Sequence, residues 1–122
     1  MKKLYTLLAL TITFSINAQM DDNSHPSNNS AGTYSVAMGH NNTASGGYST
    51  AMGRNNTASG LYSTVMGEST TASANYSTAM GSYTTASGTY SIGMGYYTTA
   101  SGLYSTAMGR NTTARGTDST PM

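Results

Sequence analysis

The chain has no cysteine, no tryptophan, one phenylalanine and two prolines. Without cysteine there is no disulfide framework, no thiolate metal site, no thiol nucleophile and no residue to carry a lipoprotein anchor. Charge is also scarce: five Lys and Arg stand against four Asp and Glu, for a formal net charge of +1. That balance leaves no electrostatic footprint for nucleic acid. Leu, Ile, Val and Phe are few, and most of them fall in the first sixteen residues. An ordinary globular core cannot be built from the remainder. Disorder is the usual outcome of such a shortage, but its mark is high net charge with few aromatics. This chain has ten Tyr and almost no charge, so it needs a different explanation.

What it has is Ser and Thr, 39 of 122 residues, with fourteen Gly and nine Met. The N-terminal segment stands apart. Lys2 and Lys3 precede an apolar run from Leu4 to Ile16, and Asn17-Ala18 offers a small residue before Gln19. This is the pattern of a secretory signal peptide cleaved after Ala18. The run is too short for a spanning helix, which needs about 20 residues. The side chains left after cleavage sum to one negative charge. Residues 19–31 are polar and aperiodic and read as a flexible leader. His25 in that stretch reads as a solvated side chain.

From Tyr34 the sequence repeats every fourteen residues, as in YSVAMGHNNTASGG and YSTAMGRNNTASGL. Tyr stands at 34, 48, 62, 76, 90 and 104. Met stands at 38, 52, 66, 80, 94 and 108, with Met122 in the same column. Gly, Thr and Ala columns run from Gly39, Thr43 and Ala44. Each unit divides into two similar sevens, each ended near a Gly. Helical repeats need about 33 residues, and helices do not tolerate Gly every seven. Short strands joined by Gly-containing turns fit. Two strands and two turns make one coil of a narrow parallel β-solenoid, its equivalent residues stacking at about 4.8 Å per coil. The expected class is therefore all-β.

Alternation puts Tyr48, Thr50 and Met52 on one face of the first strand and Ser49 and Ala51 on the other. The Ala51 column admits only small residues: Ala37, Ala51, Val65, Ala79, Gly93 and Ala107. Met is large and flexible and suits a lumen. Both faces are constrained. Either a second copy of the chain covers the small face, or that face is a tight outer strand with no partner.

The unit resembles the head repeat of trimeric autotransporter adhesins, the YadA-like head, which reads approximately NSVAIGxxSxAxG. Ser35, Val36, Ala37 and Gly39 match its first half, with Met38 for Ile, and Ala44 and Gly46 match its second. The resemblance covers residues 30–117. It implies a left-handed parallel β-roll spanning 32–122, its last coil incomplete, with three chains side by side as a homotrimer. It implies that Val36, Met38, Met52, Met66, Met80, Met94 and Met108 face the lumen. It implies that Ser35, Ala37, Ser49, Ala51, Ser77, Ala79, Ser105 and Ala107 lie toward neighbouring chains. It also implies an adhesive role, secreted or on a bacterial surface and associated with the outer membrane. Tyr replaces the family's Asn at the head of each unit, and Thr replaces Val in most. No coiled-coil stalk or membrane barrel segment is found, so no membrane anchor is expected within this chain. Asp118 and Pro121 interrupt their columns near Met122, as in a degenerate cap or a truncated gene.

Catalysis needs a base, a nucleophile or a metal. His25, His40, Asp21, Asp22, Glu68 and Asp118 belong to no repeated column and form no known spacing. Neither an enzyme nor a cofactor is expected. Variable residues fall at the turns after each first Gly, and Arg54, Tyr83, Tyr96, Tyr97 and Arg110 there are candidate contacts to host or environmental proteins or glycans. The rival reading is a secreted ice-binding solenoid. It would use the ladder Thr43, Thr57, Thr71, Thr85, Thr99 and Thr113 and the interrupted ladder through Thr50. Ser45, Ser59 and Ser73 stand where an ice face usually repeats Thr.

Overall fold

The structure is a computed structural model and describes residues 28–122. The signal segment with Ala18, and residues 19–27 of the leader, lie outside the described residues. Every regular element described is a strand. Six five-residue strands come from the first half of each unit: β1 (Val36–His40), β3 (Thr50–Arg54), β5 (Thr64–Glu68), β7 (Thr78–Ser82), β9 (Ile92–Tyr96) and β11 (Thr106–Arg110). Six two-residue strands come from the second half: β2 (Thr43–Ala44), β4 (Thr57–Ala58), β6 (Thr71–Ala72), β8 (Thr85–Ala86), β10 (Thr99–Ala100) and β12 (Thr113–Ala114). The long strands form one six-stranded sheet and the short strands another. All pairs are parallel and each residue meets its own column, as in Ala37 with Ala51 and Met38 with Met52. The chain is therefore a β-solenoid of fourteen-residue coils, as its period requires.

Two hydrogen-bond directions tie successive coils together. Strand amides donate forward, as Val36 N to Ser49 O (2.9 Å) and Thr43 N to Asn56 O (2.8 Å). Corner amides donate backward, as Tyr48 N to Thr33 O (2.8 Å) and Asn55 N to His40 O (3.0 Å). The reversal follows from the backbone at the two corners, where Tyr48 (φ 57) and Asn55 (φ 56) are left-handed. Asn takes that conformation readily, whereas Tyr takes it at a cost. Gly53 (φ 115) is one column where no side chain fits, because a Cβ would run into the carbonyl oxygen of Gly67.

The interior is very narrow. It holds the alanine columns through Ala37, Ala51, Ala79 and Ala107 and through Ala44, together with Ser49, Ser77 and Ser105. Each is buried within a single chain, and Ser35, in the first coil, is half-buried. Outside stand Val36 (44% exposed) and the methionines. Met66 and Met108 are exposed, while Met38, Met52, Met80 and Met94 are half-buried. This reverses the expected placement. The alternation is as expected, but the Val and Met side chains face outward and the Ser and Ala side chains face the lumen, not neighbouring chains. The reason is width: two walls of a coil this small approach so closely that the interior is lined by Ala, Ser, Thr and Asn, with Val65 the largest side chain inside, and close packing leaves no room for Met.

The buried Asn column is bonded along the axis, whereas the interior hydroxyls of Ser49, Ser63 and Ser91 have no partner. Asn42 Nδ2 donates to the carbonyls of Met38 and Gly53, both at 2.7 Å, and its Oδ1 accepts from Asn56 N (3.0 Å). Asn56 repeats the pattern and also accepts from Thr70 Oγ1 (2.7 Å). The same column begins at Asn28, whose Oδ1 accepts from Asn42 N, and Asn29 bridges to Thr43. Residues 28–31, assigned to the leader from the sequence, thus belong to the solenoid.

The interior placement predicts that Ala79→Leu will destabilise the fold by about 1–3 kcal/mol or more, since the added atoms meet opposing backbone. Thermal unfolding followed by circular dichroism measures it, and an unchanged melting temperature would put Ala79 on the outside.

Candidate functional site

Four surfaces run the length of the rod, because any outward residue is repeated by its column. The first is the outer face of the long sheet, where Val36, Met66, Ile92 and Met108 are exposed beside half-buried Thr50, Thr64, Thr78 and Thr106. The Met column meets itself in every coil, whereas Val36 and Ile92 stand in a column that is otherwise Thr.

The second is the first corner. Tyr34, Tyr48, Tyr62, Tyr76, Tyr90 and Tyr104 stack face to face with ring centroids 5.2, 4.8, 5.2, 4.8 and 5.1 Å apart. From Tyr48 onward neighbouring planes lie within 13° of one another. Stacking of this kind stabilises by about 0.5–1.5 kcal/mol per pair beyond burial, which offsets the left-handed backbone beneath each ring. Exposed Leu61 and Leu103 flank the column. The sequence shows the Tyr column but not the ladder as a surface; the signal lies in the period itself, which stacks every column on itself.

The third is the opposite corner, where the variable residues gather as expected. Arg54 makes a salt bridge with Glu68 one coil on, and that hydrogen bond and charge raise the Arg54 pKa above its ordinary value. The guanidinium is already protonated at any physiological pH, so the raised value leaves its charge unchanged. Tyr83 and Tyr97 stack at 4.7 Å, and Tyr96 stands edge-on to Tyr97 at 4.6 Å. Arg110 lies 5.9 Å over the Tyr96 ring, within cation–π range. The structure therefore brings Tyr83, Tyr96, Tyr97 and Arg110 into one patch and pairs Arg54 with Glu68. All four patch residues are exposed.

The fourth is the outer face of the short sheet. Thr43, Thr57, Thr71, Thr85 and Thr99 are half-buried there, with the exposed Ser45, Ser59, Ser73, Ser87 and Ser101 beside them. No group of three or more metal-ligating side chains occurs among the described residues.

The tyrosine corner separates stacking from backbone strain. Tyr62→Ala keeps the positive φ and loses two ring contacts, whereas Tyr62→Gly loses the contacts and relieves the strain. The Gly variant should be the more stable of the two by about 1 kcal/mol, by denaturant titration. Equal stabilities would mean that the corner carries no strain.

The family model for the YadA head domain repeat matches residues 30–56, 58–84, 86–112 and 100–120, more than half of the chain. That model spans two repeats, so each of the first three matches covers about two coils. No curated protein and no solved structure matches the chain.

Proposed function

Because the chain belongs to the YadA head domain repeat family, we propose that it is the adhesive head of a homotrimeric, surface-displayed bacterial protein and has no catalytic role. Three left-handed rolls pack side by side, each burying the outer face of its long sheet against the other two. The observation that carries this reading is the outward methionine column from Met38 to Met108, half-buried to exposed and continuous from coil to coil, flanked by exposed Val36 and Ile92. A coil that buries mostly small side chains has little apolar area of its own, and a contiguous outward apolar row is the mark of an interaction face. A ring of three closed by rotation covers that row on every copy.

The chain from Gln19 should have the mass of three copies by size exclusion with light scattering. Met66→Lys with Met80→Lys should shift it to one copy while strand circular dichroism persists. A wild-type monomer with full strand content would overturn the trimer.

Adhesion falls to the variable corner. Tyr83, Tyr96, Tyr97 and Arg110 present aromatic faces and a cation suited to host or environmental proteins or glycans, with Arg54 as a further contact. A Tyr83→Ala, Tyr97→Ala, Arg110→Ala variant should lose at least about tenfold of the binding to immobilised matrix proteins or glycans, the size of a lost hot spot. Undiminished binding would move the contact elsewhere on the rod.

A second reading rests on the short sheet, whose Thr43 and Ser45 columns share one outer face. Ice binding there would give thermal hysteresis above a buffer control, and an adhesive head would give none.

A further inference from the structure

The tyrosine ladder is arranged for covalent chemistry that neither trimerisation nor adhesion uses. Its rings repeat by near-pure translation from coil to coil, so each ring carbon lies about as far from its counterpart as the centroids do, 4.8–5.2 Å. Backbone bonds hold the register, as Tyr62 N to Gly47 O (2.9 Å) and Tyr76 N to Leu61 O (2.8 Å). Side-chain rotation alone has to close the remaining gap. All six rings are exposed, so a phenolic proton can leave to water. The chain has no Cys and no Trp to take up one-electron oxidation in place of Tyr. The exposed Met66 and Met108 react by a different route, two-electron oxygen transfer to the sulfoxide.

We infer that this ladder is a site of oxidative tyrosine–tyrosine cross-linking between successive coils of one chain. Each of two neighbouring tyrosines loses one electron and its phenolic proton to give a phenoxyl radical. Their ortho carbons join in a new C–C bond, and each ring then shifts its ortho hydrogen to the phenolic oxygen. The pair has lost two electrons and two protons in all. Hydrogen peroxide, acting through a one-electron haem peroxidase, accepts them and becomes two waters. The product is a staple across a fourteen-residue coil, repeated along the rod. Tyr83 and Tyr97 meet the same geometric condition, at 4.7 Å and 8°. Tyr96, edge-on to both, does not.

The test treats the folded protein with a haem peroxidase and limiting hydrogen peroxide, then maps cross-linked peptides by mass spectrometry. Bridges should join Tyr34–Tyr48, Tyr48–Tyr62, Tyr62–Tyr76, Tyr76–Tyr90, Tyr90–Tyr104 and Tyr83–Tyr97, each with the loss of two hydrogens. They should form within one chain at a yield independent of protein concentration. The same reaction in denaturant should scatter the pairs and lose the fourteen-residue spacing. Tyr62→Phe with Tyr76→Phe keeps the stacked rings and removes only the bridges that need those two hydroxyls, so Tyr34–Tyr48 and Tyr90–Tyr104 should persist. Scattered pairs in the native protein, bridges chiefly between chains, or oxidised tyrosines without bridges would each overturn the assignment.

Discussion

The width of the coil sets the terms for the rest of the structure. Fourteen residues folded into two strands and two corners bring opposite walls to within an alanine's reach of each other. Small side chains line most of the inside, from Ala37 to Ala114, with Val65, Asn42 and Asn56 the largest there, and the described Met and Tyr side chains are sent outward. Where Gly93 replaces Ala in its column, the buried apolar contacts split into two clusters, from Ala37 to Ala86 and from Ala100 to Ala114. A fold with so thin a core takes its cohesion from elsewhere. Ladder hydrogen bonds, the buried Asn and Thr column and the outer aromatic stack all act between neighbouring coils, so the rod is held as a series of nearest-neighbour interfaces.

The buried Asn column works because its groups are bonded along the axis. Asn42 and Asn56 each bridge two carbonyls with one amide group and offer their oxygen to the next coil. From Thr70 onward the column becomes Thr, which reaches less far. Thr84 Oγ1 meets Gly95 O at 3.2 Å, and Thr98 Oγ1 meets Thr84 Oγ1 at the same distance. By Thr112 the buried hydroxyl has no partner at all. Buried hydroxyls without a partner also occur at Ser49, Ser63 and Ser91, so their cost is spread along the rod and not confined to one end.

The period, the strand positions, the parallel register and the variable corner are legible in the sequence, since in-register stacking gives every member of a column one environment. Inside and outside are not. Alternation separates Ala51 from Met52 but does not say which of them faces the lumen, and a column restricted to small residues looks the same against an opposite wall as against another chain. The buried polar column hides for a related reason: Asn56 and Thr84 look like surface residues until their bonds are traced. The Tyr corner is hidden by propensity. Asn41 and Asn55 advertise a left-handed backbone, whereas Tyr48 in the same conformation gives no such signal.

The direction of the ladder bonds has a mechanical meaning. Forward and backward, they run from coil to coil, along the axis of the rod. Force applied to its two ends would load the interfaces one after another instead of shearing them together. Each coil that peeled away would release roughly 46–50 Å of extended chain, fourteen residues at about 3.3–3.6 Å each. The molecule would yield in equal steps, one coil at a time, and so act as a shock absorber for whatever it tethers.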